Sequence, residues 1–225
     1  MNTSRRGATA WHALTFVVAT GALVYQLILV IRGFKAVTDV AAPGVGTGII
    51  RFFSYFTVES NMLVAWTALT LALRPEIDGA LWRVLRMNTI IGITVTGLVA
   101  WFILRPLQNL QGPALLADRL LHIVCPAVAV IGWILFGPRG RISIRVLWLS
   151  LVFPISWLAY TLVRGAIVDW YPYPFIDVIK HGYASVTVNC VILAVGFIVL
   201  SFLVLAADRG LSRWGNAPGI DRTPD

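Results

Sequence analysis

Three short runs in this chain bring together hydroxyl, imidazole and amide side chains, the ingredients of a nucleophile and its base. In Phe52-Phe53-Ser54-Tyr55-Phe56-Thr57-Val58-Glu59-Ser60-Asn61, Thr57 and Asn61 stand four residues apart, so a helix puts them on one face, flanked by Ser54 and Ser60. Asp118 and His122 are also four apart, in Asp118-Arg119-Leu120-Leu121-His122. The third run, Lys180-His181-Gly182-Tyr183, leads to Ser185 and Asn189, which a continuous helix aligns with His181. A threonine hydroxyl is a weak nucleophile and needs a neutral imidazole within hydrogen-bond reach to take its proton. Thr57 and His122 are the candidate pair. Asp118 would hold the imidazole in the useful tautomer. Asn61 or Asn189 would donate to a developing oxyanion, with Ser60 as a further supporting group.

Each of these residues also has a plainer use. A membrane threonine commonly bonds its own i−4 carbonyl or packs at a helix interface, and asparagines hold helices together. Asp118 and Arg119 can form a helix-end pair. Glu59 is expected to pair with a nearby Arg or His. Arg105 and Arg164 end helices and suit snorkelling anchors; with His181 and Tyr183 they are the candidates for meeting a lipid substrate.

These residues are carried by unusually apolar elements. The chain has 225 residues, 58% of them hydrophobic and 12% charged, and its mean hydropathy is +0.82. A soluble domain is about a quarter charged. A bilayer core needs roughly 20 apolar residues in helix. Six blocks qualify: Trp11 to Ile31, Phe52 to Leu73, Thr89 to Leu104, Leu120 to Phe136, Val146 to Val168 and Ala184 to Ala206. The expected fold is therefore all-α, a polytopic bundle of six transmembrane helices over residues 1–214, with a disordered polar tail over 215–225. The first block is expected to be a retained membrane helix rather than a cleaved leader, being too long for a signal h-region. Cys125 and Cys190 lie inside the fourth and sixth blocks and are expected as lone thiols.

The net charge of +8 does not imply nucleic acid, because the basic residues sit at helix ends, where topology and anionic headgroups account for them. Placing the N-terminus in the cytoplasm puts Arg5, Arg6, Arg74, Arg83, Arg86, Arg139, Arg141, Arg145, Arg209, Arg213 and Arg222 inside. Arg32, Lys35, Arg51, Arg105, Arg119, Arg164 and Lys180 then lie outside. Both termini are thus expected to be cytoplasmic in a multi-pass protein of the cell membrane. Helices 2, 4 and 6 then run inward from the outer face. Counted from Phe52 and Asp118, Thr57 and His122 both lie ~8 Å below it. The aromatic segment Asp169-Trp170-Tyr171-Pro172-Tyr173-Pro174-Phe175-Ile176-Asp177 is expected along the outer interface, as an aromatic belt or as a cover over a lipid-facing cleft.

The stretch Tyr55-Phe56-Thr57-Val58-Glu59-Ser60-Asn61, together with Leu121-His122-Ile123-Val124-Cys125-Pro126, resembles a family of small multi-span membrane proteins. That family includes the androgen-induced and androgen-dependent membrane hydrolases of animals and small bacterial six-span proteins. In the animal members a membrane-embedded threonine and histidine hydrolyse fatty acid esters of hydroxy fatty acids. The resemblance implies that Thr57 and His122 are the matching pair. The Glu59-Ser60-Asn61 run belongs to the bacterial look.

The leading expectation is a lipid-ester hydrolase, a threonine hydrolase needing no metal and no cofactor, whose partners are its lipid substrate and bilayer lipids. The alternatives are a transporter or non-catalytic membrane scaffold, and a haem- or quinone-binding redox protein in which His122 faces His181. His12 would lie at the opposite face. The sequence sets no oligomeric state.

Overall fold

The computed structural model describes residues 3–34 and 43–215. Lys35, Arg222 and the tail expected beyond the last span lie outside the described residues. Among the described residues the chain is helical, with no strand. Six stretches are long and apolar enough to cross a membrane: Arg5–Ile31, Phe56–Leu73, Ala80–Leu107, Gly112–Phe136, Ile144–Val168 and Val178–Arg213. The protein is a multi-pass all-α bundle. An even number of spans returns the last to the face where the first began, and the contacts agree. Arg5 pairs with Glu76 at 3.4 Å, Arg141 with Asp78 at 3.8 Å, and the Asp208 carboxylate accepts the Ile142 amide at 3.2 Å.

Each apolar block gains or breaks at a residue that hydropathy does not mark. Helix α1 (Thr3–Ile31) is followed by a short apolar helix, α2 (Val45–Ser54), and then by α3 (Phe56–Leu73). The expected single helix from Phe52 is thus divided at Tyr55, whose φ of −78° and ψ of 127° are extended. This corrects the depth argument. Thr57 is not several residues into a helix but in the first turn of α3, where backbone N–H groups lack helical partners.

Inside a bilayer an unpaired backbone group costs several kcal/mol, so the break must be satisfied from elsewhere. Trp157 does half of this, donating from its indole Nε1 to the Ser54 carbonyl at 3.1 Å. Tyr173 does the other half, its hydroxyl accepting the Thr57 N–H at 3.1 Å.

The third span, α4 (Ala80–Val99), ends in a π turn (Ala100–Leu104) and a 3-10 turn (Arg105–Leu107). The fourth is α5 (Gly112–Arg119), a π turn (Leu120–Val124) and α6 (Cys125–Phe136). It starts eight residues before the apolar block because Pro113 suits a helix's first turn. The fifth is α7 (Ile144–Ser150) and α8 (Val152–Val168); the last is α9 (Val178–Gly215). Gly182, at φ 72° and ψ 162°, breaks α9 near its start. That break resets the helical phase, so His181 does not share a stripe with Ser185 and Asn189 as a continuous helix would require.

Small residues let the central helices approach. Ala19 and Ala22 of α1 pack with Val64 and Ala65 of α3 and with Cys125 and Ala129 of α6, all buried. Both cysteines are free, Cys125 in this seam and Cys190 half-buried on α9.

The aromatic segment between α8 and α9 is not an interfacial belt. Trp170, Tyr171, Tyr173 and Ile176 are buried, and Tyr171, Tyr173 and Ile176 cluster with Phe56 and Leu104. The strap enters the mouth of the bundle because Gly165 of α8 has no side chain. A Cβ there would lie 2.1 Å from the Tyr171 ring. Gly165→Val is therefore expected to displace Tyr171 and lower stability by roughly 1–3 kcal/mol, seen as a lower thermal midpoint in detergent. Gly196→Ala, where a Cβ meets nothing within 4 Å, should leave the midpoint unchanged. Equal midpoints for both variants would contradict this account of the strap.

Candidate active site

Thr57 is 7% exposed, at the start of α3. Its Oγ1 lies 3.2 Å from His122 Nε2. His122 sits in the π turn Leu120–Val124, a local widening that re-aims side chains and recurs at functional positions. On its other side, His122 Nδ1 lies 2.8 Å from Asp118 Oδ1 and 3.1 Å from the Asp118 carbonyl oxygen. Both side chains are only 15% exposed. Two acceptors beside Nδ1 favour a proton there, which leaves Nε2 with a lone pair facing the threonine hydroxyl. Asp118, His122 and Thr57 thus form one continuous hydrogen-bonded chain.

A fourth group completes it. The Tyr173 hydroxyl is 3.1 Å from Thr57 Oγ1 and 3.1 Å from Thr57 N. One proton pattern satisfies every contact: Thr57 N–H donates to the Tyr173 oxygen, Tyr173 O–H to Thr57 Oγ1, and Thr57 Oγ1–H to His122 Nε2. Burial pushes the Tyr173 phenol up to about 12, against a smaller lowering by its hydrogen bonds with Thr57. The phenol therefore keeps its proton and is a donor throughout the neutral range. Sequence reasoning missed this residue, having placed its segment along the interface. The available signal was a tyrosine between two prolines in a loop otherwise rich in aromatics.

Two of the other expected participants, Asn61 and Asn189, are spent elsewhere. Asn61 Nδ2 donates to the Thr57 carbonyl at 2.8 Å and to the Leu121 carbonyl at 3.3 Å. It ties α3 to the π turn that carries His122, so it sets the geometry of the pair instead of facing an oxyanion. Asn189 Nδ2 donates to the Phe175 carbonyl at 2.8 Å and secures the strap. Ser60 is fully buried against α4, its Oγ 3.0 Å from where a Cβ on Gly92 would stand. Glu59, expected to pair with a basic residue, makes no ion pair among the described residues.

Of the substrate-binding candidates, Arg105 stacks on Trp101 at 4.2 Å and Arg164 on Trp170 at 5.4 Å. His181 is exposed, as is Tyr183 at 73%. None of the four lines the two cavities that reach Thr57. The cation that does is Arg51, whose guanidinium also lies 4.8 Å from the Trp170 ring centroid.

Thr57 borders two cavities. One is walled by apolar side chains of α4, α8 and α9. The other holds Asp118, His122 and Arg51. Thr57, Tyr173 and Leu104 line both. No family model matches this chain, and neither a curated protein nor a solved structure matches it.

Proposed function

We propose that this protein is an intramembrane lipid-ester hydrolase of the cell membrane, with Thr57 as nucleophile and His122 as base. The observation carrying this reading is the hydrogen-bonded chain Asp118–His122–Thr57, assembled from two helices beside two cavities that Thr57 borders. Its residue types also match the membrane threonine hydrolases that the sequence resembles. The excess of basic residues at the opposite face supports an extracytoplasmic position for the site.

In the proposed reaction, His122 Nε2 takes the Thr57 hydroxyl proton as Oγ1 bonds to the ester carbonyl carbon. The carbonyl oxygen gains the negative charge, and the Tyr173 O–H turns from Oγ1 to donate to it. The tetrahedral adduct then expels the alkoxide, which takes the proton from His122. Asp118 stabilises the imidazolium between these transfers. Water, giving a proton to His122, attacks the threonyl ester, and the carboxylic acid leaves as Thr57 recovers its hydrogen.

Two other readings gain less support. A haem ligand needs an unengaged imidazole nitrogen, and both nitrogens of His122 have partners, while His181 is exposed. A transporter needs no nucleophile–base pair. It would show substrate flux in liposomes that survives Thr57→Ala.

The test is covalent labelling. The full chain in detergent, treated with an alkylphosphonate p-nitrophenyl ester, is expected to gain one phosphonyl group on the peptide containing Thr57, and none when His122 is alanine. Labelling that bypasses Thr57, or none at all, would sink the hydrolase reading.

A further inference from the structure

We propose that the ester lies across Thr57 in one fixed sense: the acyl chain runs into the apolar cleft between α8 and α9, and the alcohol half occupies the cavity beside His122. This rests on the hydrolase reading and deepens it. The substrate class is then an ester joining a long apolar acid to an alcohol that carries hydrogen-bonding groups.

The argument starts from proton bookkeeping. A tetrahedral adduct on Thr57 carries four substituents: Oγ1, the oxyanion, the acyl carbon and the alkoxy oxygen. The alkoxy oxygen must collect its proton from His122 Nε2, so it must come within hydrogen-bond reach of that nitrogen. His122 lines the second cavity and not the apolar cleft. The leaving alcohol is therefore confined to the second cavity. The oxyanion faces Tyr173, which borders both spaces. The acyl carbon is left with the remaining direction, into the cleft.

The walls fit that assignment. Phe56, Val95, Val99, Trp157, Leu193 and Phe197 make the cleft almost wholly apolar, which suits methylenes; away from Thr57 and Tyr173 the Thr96 hydroxyl is the oxygen-bearing side chain that lines it. Ile155, 63% exposed, and the exposed Ala194 also line it, so the cleft reaches the lipid-facing side of the bundle. An acyl chain can enter there without leaving the bilayer. The second cavity instead carries Gln26, Arg51, Gln108 and Asp118 and is bordered by the loop residues Pro172 and Pro174. It lies toward the membrane surface, where an alcohol's hydroxyl or amide groups find donors and acceptors.

The experiment uses a long-chain alkylphosphonate p-nitrophenyl ester with a diazirine at the chain end, reacted with the full protein in nanodiscs and then irradiated. With the adduct on Thr57, crosslinks are expected on peptides of α8 and α9. Crosslinks on α1 or α5 would overturn the orientation while leaving the hydrolase reading intact. No adduct on Thr57 would remove the hydrolase reading, and this proposal with it.

Two variants give a kinetic counterpart. Ala194→Trp, in the cleft alone, should lower kcat/KM for long-chain acyl esters about tenfold relative to butanoyl esters of the same alcohol. Ala114→Trp, in the second cavity alone, should penalise glycerol esters relative to ethyl esters and leave acyl-length preference unchanged. The opposite pairing of effects would refute the assignment.

Discussion

Thr57→Ala and His122→Ala are each expected to reduce ester turnover by at least about a thousandfold. The physical reason is the single chain of hydrogen bonds through Asp118, His122 and Thr57. In the proposed reaction, removing the hydroxyl deletes the bond-forming atom, and removing the imidazole deletes the base hydrogen-bonded to it. Groups that act as one unit are strongly non-additive, so the double variant should be scarcely slower than either single one. Thr57→Ser keeps Oγ and should retain most activity. The measurement is kcat on a lipid ester, with the thermal midpoint recorded to show that each variant is folded. A folded Thr57→Ala protein with wild-type turnover would end the threonine mechanism.

Tyr173→Phe is expected to cost about 10²–10³ in kcat with little change in KM, since in the proposed reaction it removes a donor used mainly when charge develops on the ester oxygen. The ring itself should stay in place. It stacks on Phe175 at 5.3 Å and meets Trp157 and Tyr55 edge-on. The variant also leaves the Thr57 N–H without its partner, which should lower stability by roughly 1–3 kcal/mol.

The same residue gives a pH signature. Burial raises its folded value from 10.0 to about 12. A raised value means the neutral phenol is the form favoured by folding. The stability it contributes is whole below about pH 10 and is lost as pH climbs toward 12. A fall in thermal midpoint across that window, absent in Tyr173→Phe, is the expected result. A midpoint that falls equally in both proteins would show that Tyr173 does not govern the alkaline limit.

How much of this was legible can be judged residue by residue. Asp118 and His122 were readable as a pair because i and i+4 share a helical face whatever the helix packs against. That Thr57 would meet His122 was suggested by depth counting, but the count assumed one helix from Phe52. The helix breaks at Tyr55, and the meeting depends on Asn61 tying α3 to the π turn. Asn61 and Asn189 were read as oxyanion donors because an amide's type is visible in sequence and its partner is not. Both give their N–H groups to backbone carbonyls.

Composition and block length alone determined that this is an all-α protein with six membrane-crossing helices. In hydrocarbon the backbone must satisfy itself, and only helices of about 20 apolar residues do so locally. The tertiary structure alone decided where those helices break, which cavities Thr57 borders, and that Tyr173 reaches it. Such choices turn on contacts between distant segments: a phenol from the strap capping a broken helix start, and a ring resting on the bare backbone of Gly165. Local hydropathy carries no record of them, because the side chains that supply them belong to other parts of the chain.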